Sequence, residues 1–523
     1  MVNYIKINHE KYGYDILALF QSFYPESSWQ LVFPGCREQI SEEAEKIGFF
    51  AELNFGEGEN APAEVKLKRY VGTSAEAEVC TYENITGAGE RDAGSDEKGY
   101  IGSGREYDIL RYPGGLGADL KEGFGNWLYD ELVKKTGRTL PWGTLNGVRP
   151  TKLAYSRLEE GRSDEDIVDY YINERKTSRY KAELALDIAK RERELLKNLH
   201  LTDGYSLYIG IPFCPSTCLY CSFTSYPIGA YRKEVDRYLD ALISELEFVA
   251  EKMRGKILDT IYIGGGTPTT LSPEQLDRLL GRVAQLFDTA LLREYTVEAG
   301  RADSITEEKL RVIKSYGITR ISINPQTFNQ ETLDFIGRKA SVARLLEVWP
   351  VARSLGFDNI NMDIILGLPG EGAAEVENTI RMVKQLKPDS LTVHSLAIKR
   401  ASKLAQWIID NGKETIRNSD AVMDIAAKGA EELGLVPYYL YRQKNMSGNL
   451  ENVGFAAPGK EGIYNILIME ELQSILAVGA GTVTKRVYYE NGKVSKLTRC
   501  ENVKEVGMYC DRIKEMMERK LAI

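Results

Sequence analysis

The stretch IPFCPSTCLYCSF, residues 211–223, places Cys214, Cys218 and Cys221 at the spacing C-x3-C-x2-C. Thiolates are soft ligands suited to zinc or to an iron–sulfur cluster. A structural zinc site is closed by four protein ligands, but the next histidine after the cysteines is His394. Three thiolates on a cluster of four irons leave one iron without a protein ligand, and an open metal position is typical of a catalytic site. Zinc, or three buried unreactive cysteines, are the alternatives at this point.

Around this stretch, short β-branched or aromatic runs alternate with long amphipathic runs, which predicts a parallel sheet with helices outside it. The six predicted strands are YSLYIGI (205–211), TIYIGGG (260–266), YTVEAG (295–300), RISINPQ (320–326), NINMDIILGL (359–368) and SLTVHSL (390–396). Six units are too few for a complete eight-fold barrel. The sequence therefore predicts an α/β protein with an open, partial (β/α)6 barrel and its chemistry at the C-terminal strand ends.

The rest of the chain predicts further segments. Residues 1–110 are predicted to form a mixed α/β domain, with residues 83–106, rich in glycine and charge, as a mobile loop. Residues 111–200 are predicted as a helical connector, 201–400 as the partial barrel, and 401–523 as a C-terminal α/β segment on the substrate side.

Composition narrows the functional classes. The net charge of −9 over 523 residues disfavours a general polyanion-binding role, so no nucleic-acid partner is expected. The N-terminal sequence has no apolar signal core and no apolar run is long enough to span a bilayer. Three of the seven cysteines are clustered, which argues against a disulfide framework. These features together predict a cytoplasmic protein.

Polar and glycine residues stand at or near the ends of the other predicted strands. GGGTP (264–268) ends the second strand, where glycines allow a ligand to approach bare backbone. Glu298 lies in a mostly apolar strand and needs a partner. Gln326, Arg338 and Asp363 occupy comparable positions, and Tyr208 lies shortly before the cysteines. Each could be part of a buried salt bridge or simply pack, but together they predict a ligand site.

Cysteines at this spacing on the first loop of a partial barrel resemble the radical S-adenosylmethionine (SAM) superfamily. The resemblance implies a [4Fe–4S] cluster on Cys214, Cys218 and Cys221, with SAM on the open iron, and cleavage of SAM to a 5′-deoxyadenosyl radical. YIGIPFCPSTCLYC, YIGGGTPT, VEAGRADSIT, RISINPQTFNQETLDFIGRK and NMDIILGLPGE together resemble the oxygen-independent coproporphyrinogen III oxidase family over about residues 200–500. LPWGTLNGVRPTKL (140–153) is most similar to its HemZ-type, or coproporphyrinogen dehydrogenase, branch.

Carried over by position, the resemblance places the following residues at SAM: Tyr220, Gly265, Gly266, Thr267, Glu298, Gln326, Arg338 and Asp363. Tyr208 would be the catalytic-site tyrosine. The family reaction converts two propionates of coproporphyrinogen III to vinyl groups, giving protoporphyrinogen IX, and a reduced flavodoxin or ferredoxin is the expected electron donor. The tetra-carboxylate substrate needs cationic partners, for which the candidates are Lys399, Arg400, Arg442, Lys485 and Arg486.

One position departs from the oxidase pattern. The oxidase branch has a fourth cysteine two residues after the third, where this chain has Phe223. That cysteine is associated with a second SAM, so its absence puts the two-SAM arrangement in doubt. A haem-chaperone branch shares the phenylalanine, and another branch opens haem anaerobically. Both remain alternatives to the decarboxylase, although three histidines offer little for His-ligated haem.

Overall fold

The computed structural model describes residues 2–7, 10–24, 28–32, 47–55, 63–69, 98–101, 105–112, 120–145, 147, 149–399, 402–411, 418–443, 446 and 450–521. The chain forms two compact units. One comprises Met1–Asn146 and Asp164–Ala182, and the other comprises Gly147–Ser163 and Glu183–Ile523. The four-part division drawn from the sequence stays a prediction.

The first unit contains a six-stranded mixed sheet in the order β2-β1-β3-β4-β6-β5. Its strands are β1 Val2–Ile7, β2 Ser28–Val32, β3 Ile47–Phe55, β4 Ala63–Arg69, β5 Lys98–Ile101 and β6 Arg105–Tyr112. Its helices are Glu10–Phe23, Leu120–Thr136 and Asp164–Asn173. Apolar side chains of the first two helices pack with β1 and β3 in one buried cluster. The prediction of a loop over 83–106 is wrong at its C-terminal end, where β5 and the start of β6 form a hairpin; residues 83–97 lie outside the described residues.

The strands of the second unit are β7 Gly204–Ile211, β8 Phe213–Cys214, β9 Tyr226–Pro227, β10 Ile257–Gly265, β11 Glu294–Glu298, β12 Arg320–Ser322, β13 Ile360–Leu366, β14 Ser390–Ser395, β15 Val436–Tyr441, β16 Asn452–Ala456, β17 Ser474–Val478, β18 Val483–Glu490 and β19 Lys493–Glu501. Six of them, β7 and β10–β14, lie at the predicted barrel strands. The helices are Thr151–Glu159, Arg179–Leu196, Ile228–Tyr231, Val235–Lys252, Pro273–Leu286, Glu307–Ser315, Gln330–Phe335, Val342–Ser354, Ala373–Leu386, Lys403–Asn411, Asp420–Glu432, Ile463–Glu470, Val506–Asp511 and Ile513–Leu521.

Eleven of these strands form one sheet in the order β15-β16-β14-β13-β12-β11-β10-β7-β17-β18-β19. Strands β7, β10, β11, β12, β13 and β14 pair in parallel in sequence order. This arrangement confirms the predicted partial (β/α)6 barrel. The chain after residue 401 extends both ends of that sheet, with β16 antiparallel to β14 and β17 parallel to β7.

Local sequence explains the helices between the strands. The helix Pro273–Leu286 begins with proline at its first position and a reciprocal capping box between Ser272 and Gln275, which satisfies backbone N–H groups that the first turn leaves unpaired. Its buried leucines, Leu276, Leu279 and Leu280, recur at helical spacing and form one apolar face of the helix.

The inner face of the sheet carries polar side chains at every second position. Ser206 and Thr260 hydrogen-bond across β7 and β10, 2.8 Å apart, and Tyr208 stacks on Tyr262 in the same pair of strands. Because strand side chains alternate between faces, this register directs the polar residues of β10–β14 to one interior surface. Within the described residues, none of the helices combines the length and apolar composition needed to cross a membrane.

Candidate active site

The three clustered cysteines lie shortly after β7, with Cys214 at the end of the short strand β8 and Cys218 and Cys221 on the segment that follows it. All three are free thiols. The sulfur of Cys214 lies 3.4 Å from Oγ1 of Thr267, and that of Cys221 lies 3.8 Å from Oγ of Ser225. Burial raises the pKa of the Cys214 thiol to about 11, and the neighbouring thiols of Cys221 and Cys218 add to the rise, whereas Thr267 opposes it. The three thiols are therefore close enough to interact electrostatically.

The donor set suits an iron–sulfur cluster. Within the described part of the chain there is no group of three or more His, Cys, Asp and Glu side chains that could hold a single metal ion. A [4Fe–4S] cluster makes a different demand, because each thiolate binds a separate iron. The guanidinium of Arg301 lies 3.7 Å from the Cys218 sulfur, and a cation beside thiolate ligands suits the negative charge of such a cluster.

The glycine run Gly264–Gly266, at the end of β10, lies against the backbone that leads into the cysteines. The N–H of Gly266 donates to the carbonyl of Ile211 at 2.8 Å, and that of Thr267 donates to Phe213 at 2.7 Å. A Cβ on Gly266 would lie 2.6 Å from the Phe213 carbonyl oxygen, so a side chain has no room there. Gly265 has φ +108°, a conformation that favours glycine.

Glu298, at the end of β11, lies beside this glycine run. Its Oε1 accepts a 2.5 Å hydrogen bond from the hydroxyl of Tyr262. Burial raises the pKa of Glu298 to about 7, although the Tyr262 hydrogen bond and the Gly265 backbone act to lower it. The ring of Tyr208 stacks on those of Tyr262 and Tyr464, with centroids 6.1 and 5.9 Å away. Burial, and next the charge of Glu298, raise the pKa of Tyr208.

Gln326 and Asp363 are joined through their backbones. The N–H of Gln326 donates to the Asp363 carbonyl at 2.9 Å, and Ile365 donates to Gln326 at 2.8 Å. Gln326 has φ +66°, and a non-glycine residue in this region often marks a functional constraint.

The Asp363 carboxylate itself accepts a hydrogen bond from Asn361 at 2.7 Å and lies 3.9 Å from Nε2 of His394. Burial acts to raise the pKa of Asp363, but the contacts with His394 and Asn361 outweigh it, and the pKa lies below its usual value. Nδ1 of His394 lies 3.4 Å from the hydroxyl of Tyr441. The inner wall of β13 and β14 is therefore polar and hydrogen-bonded.

Arg338 and Tyr220 lie near Cys218 of the cysteine loop and interact electrostatically. Arg338 is buried, and its Nη2 donates to the carbonyl of Gly300 at 2.9 Å and to that of Asn324. Burial raises the pKa of Tyr220, while Cys218 raises it further and Arg338 lowers it. Part of the Arg338 guanidinium is thus used to hold the strand ends.

Contacts link the residues that the sequence singled out into three neighbouring groups. Cys214, Cys221, Thr267, Gly265, Gly266, Glu298 and Tyr208 form the first; Cys218, Tyr220 and Arg338 form the second; Gln326 and Asp363 form the third. Their individual roles stay predictions. Sequence reasoning missed Arg301, Tyr262, His394 and Tyr464. The first three follow the pattern of polar residues near strand ends, whereas no sequence signal placed Tyr464 inside the barrel.

The basic residues predicted to bind the substrate carboxylates differ in burial and in pairing. Arg442 is buried, and burial lowers its pKa to about 10. Nζ of Lys485 pairs with Glu471 at 3.0 Å. Lys399 and Arg486 are partly exposed, and Arg400 lies outside the described residues.

A cavity of about 390 Å³ lies at the other end of the barrel. Arg293, Thr319 and Asn359, near the N-terminal ends of β11, β12 and β13, contribute to its lining. In parallel α/β sheets the chemistry is placed at the C-terminal strand ends. The cysteines, the glycine run and Glu298 are all there, so we place the candidate active site at that end and not at the cavity.

Comparisons with known proteins identify the family of this chain. The model of the radical SAM superfamily matches residues 208–383. The chain is 42% identical over 409 residues to the "Oxygen-independent coproporphyrinogen-III oxidase-like protein HemZ" of Bacillus subtilis, covering 76% of this chain and 79% of that protein. It is 38% identical over 195 residues to the "Heme chaperone HemW" of B. subtilis, covering 37% of this chain and 51% of that protein.

Among solved structures, coproporphyrinogen III oxidase (HemN) from Escherichia coli is similar at 23% identity and a TM-score of 0.48, covering 62% of this chain and 73% of that one. The extent and identity of the match to HemZ show the family. The chain belongs to the radical SAM superfamily, within the HemN/HemZ-type family that acts in haem metabolism.

Proposed function

We propose that this protein is a radical SAM oxidoreductase that decarboxylates two propionates of coproporphyrinogen III, giving protoporphyrinogen IX. In each conversion the propionate loses CO₂ and a hydrogen atom from its β-carbon, and one electron passes to an acceptor, leaving a vinyl group. The similarity to a protein named oxidase-like over 79% of its length supports the substrate class.

A series of contacts from Cys214 to Tyr262 is the main support for the proposal. The Cys214 thiol contacts Thr267, the backbone of Gly265 contacts the Glu298 carboxyl, and Glu298 accepts from Tyr262. Cysteines, bare backbone and a buried carboxyl thus meet at adjacent strand ends. This combination can bind a metal cluster and a ligand that carries an ammonium group and a ribose.

The residues present fit the implied cofactors. We assign Cys214, Cys218 and Cys221 to a [4Fe–4S] cluster. To SAM we assign Tyr220, Gly265, Gly266, Thr267, Glu298, Gln326, Arg338 and Asp363. When bound, the cluster supplies an electron and SAM supplies a 5′-deoxyadenosyl radical as hydrogen acceptor. Such radical chemistry belongs to the cofactor, and the protein contributes position and shielding from water.

The chain's own residues perform those tasks. Gly265 and Gly266 present backbone without side chains. Burial raises the pKa of the Glu298 carboxyl to about 7. It can therefore donate a hydrogen bond when protonated, or accept hydrogen bonds from a ligand's hydroxyl or ammonium groups when ionised. Tyr208, Tyr262 and Tyr464 line the interior with stacked rings, as the centroid separations of 4.5–6.1 Å show. They exclude water beneath the proposed cofactor site.

The test is anaerobic turnover of coproporphyrinogen III by reconstituted protein with SAM and a reductant. We expect protoporphyrinogen, CO₂ and 5′-deoxyadenosine from the wild type. Cys214→Ala should lack both the cluster absorbance and the products, whereas Cys510→Ala, at a free cysteine outside the loop, should retain both. A cluster-loaded wild type that yields no vinyl product would overturn the proposed substrate.

A haem chaperone is the second candidate function. Its support is the similarity to proteins named HemW and the phenylalanine at position 223, whose side chain is 76% exposed. Titration with haem discriminates the two functions: a Soret shift at micromolar haem without vinyl product favours the chaperone. Loss of the haem spectrum on addition of SAM and reductant would indicate haem ring opening instead.

We propose a reduced flavodoxin or ferredoxin as the electron donor, since each turnover requires a low-potential electron. Replacing dithionite by reduced flavodoxin in the same assay tests this partner. The cytoplasmic location stays a prediction from the sequence.

A further inference from the structure

Arg301 is a buried arginine that lies between Asp303 and the cysteine loop and contacts both. Its side chain is 4% exposed. On one side, Nε and Nη2 bind the two oxygens of Asp303 at 3.0 and 2.7 Å. On the other side, Nη1 donates to the carbonyl and hydroxyl oxygens of Ser216, both at 3.0 Å, and lies 3.7 Å from the Cys218 sulfur.

This geometry gives the guanidinium two effects on the loop. The fork to Asp303 fixes its orientation, because paired N–H···O bonds to a carboxylate are directional. Nη1 then ties the Ser216 turn to the segment after β11, and so holds Cys218 in place. Asp303 is 23% exposed, so water screens its negative charge more than it screens the buried guanidinium beside Cys218.

We propose that Arg301 is a positioning residue for the iron–sulfur cluster, one that retains the cluster and raises its reduction potential through its charge beside the Cys218 sulfur. The inference rests on the proposed function, because it requires the cluster on the three cysteines. It concerns the retention and the reduction potential of that cluster, and it does not depend on which substrate the enzyme acts on.

The reduction potential of a cluster depends on the charges around it. Reduction adds one electron, supplied by a one-electron carrier protein or by dithionite, and makes the cluster and its thiolates more negative. A fixed positive charge near a ligand sulfur stabilises the reduced state more than the oxidised state, and hydrogen bonds to the sulfurs act in the same direction. Arg301 supplies both at Cys218.

The experiment compares Arg301→Gln with Arg311→Gln, a matched change at an exposed arginine paired with Glu307. Each protein is reconstituted, and the reduced fraction is followed by electron paramagnetic resonance during a redox titration. At the wild-type midpoint we expect the ratio of reduced to oxidised cluster to fall about tenfold in Arg301→Gln, which is about 59 mV for one electron. Arg311→Gln should match the wild type.

Iron and sulfide content after a chelator challenge gives a second readout. Arg301→Lys keeps the charge and loses the fork, so it should keep most of the potential but release iron faster than the wild type. Equal potentials and equal iron retention in folded Arg301→Gln and Arg311→Gln would overturn the inference alone. A wild type that takes up no cluster would instead overturn the proposed function, so the two failures are distinguishable.

Discussion

The carboxyl group of Glu192, on the helix Arg179–Leu196, is fully buried, and neither oxygen has a hydrogen-bond partner among the described residues. Glu470, 2% exposed on the helix Ile463–Glu470, is the neighbouring carboxyl, and burial raises its pKa as well. Burial, and next the charge of Glu470, raise the pKa of Glu192 well above its usual value of 4.5. A buried carboxyl without a partner is stable only while it holds its proton.

Glu192 therefore makes stability depend on pH. Well below pH 4.5 the carboxyl is protonated in both the folded and the unfolded chain, and its ionisation then has no effect on stability. As the pH rises above that value, the unfolded state ionises first, and folding becomes less favourable until the folded-state pKa is passed. We predict that Glu192→Gln stabilises the protein relative to the wild type more at pH 8 than at pH 4. The gain in the free energy of unfolding should be larger at pH 8 by roughly 1 kcal/mol or more.

Guanidinium unfolding at several pH values measures this difference. Glu194→Gln is the matched control, because that carboxylate is exposed on the same helix and pairs with Lys197 at 2.5 Å. A stability difference between Glu192→Gln and the wild type that is the same at pH 4 and pH 8 would contradict the assignment of a raised pKa.

At the scale of elements, the end of β12 differs from the sequence prediction. The run RISINPQ was predicted as a strand through residue 326, but β12 ends at Ser322. Gln326 then takes a positive φ and bonds through its backbone to β13. Periodicity does not report such a conformation, because it is imposed by the neighbouring strand and not by the residue itself.

The glycine run at the end of β10 allows a prediction about close packing of the backbone. A Cβ on Gly266 would meet two backbone carbonyls, those of Phe213 at 2.6 Å and Ile211 at 3.0 Å. Backbone in a paired strand cannot move aside cheaply, so we expect Gly266→Ala to cost about 1–3 kcal/mol of stability. It should also displace Thr267 from Cys214 and weaken SAM binding.

Thermal unfolding and calorimetric titration of the reconstituted protein with SAM measure the two effects. Gly229→Ala provides the comparison, since its added Cβ meets nothing within 4 Å. If Gly266→Ala binds SAM as tightly as Gly229→Ala, the glycine run is not part of the SAM site.

At the scale of the whole molecule, the six-strand pattern and the cysteine spacing were sufficient to predict the partial barrel. The sequence could not show that the chain after residue 401 returns to the same sheet, because β17 pairs with β7 across about 260 residues of intervening chain. Arg301 was missed for a related reason: its importance depends on a contact with Ser216, 85 residues away.

A buried network connects the C-terminal helix to the strand that precedes the cysteines. Nζ of Lys520 lies 2.6 Å from Glu245 and 2.7 Å from Oδ1 of Asn502. Glu245 also accepts from the N–H of Gly479 at 2.8 Å. Gly479 follows β17, the strand beside β7, so the last helix of the chain supports the strand that ends at the cysteine loop.

We predict that Lys520→Met destabilises the protein by about 3–5 kcal/mol, because it leaves the Glu245 charge buried without its cation. Lys514→Met, at an exposed position on the same helix, should have little effect. Replacing both partners, as Lys520→Met with Glu245→Leu, should recover part of the loss, since breaking one side of a buried pair costs more than removing both. Denaturant unfolding gives the three free energies, and iron content after reconstitution shows whether the loss reaches the cysteine loop. If Lys520→Met unfolds at the same denaturant concentration as Lys514→Met, the C-terminal helix does not support the barrel through this network.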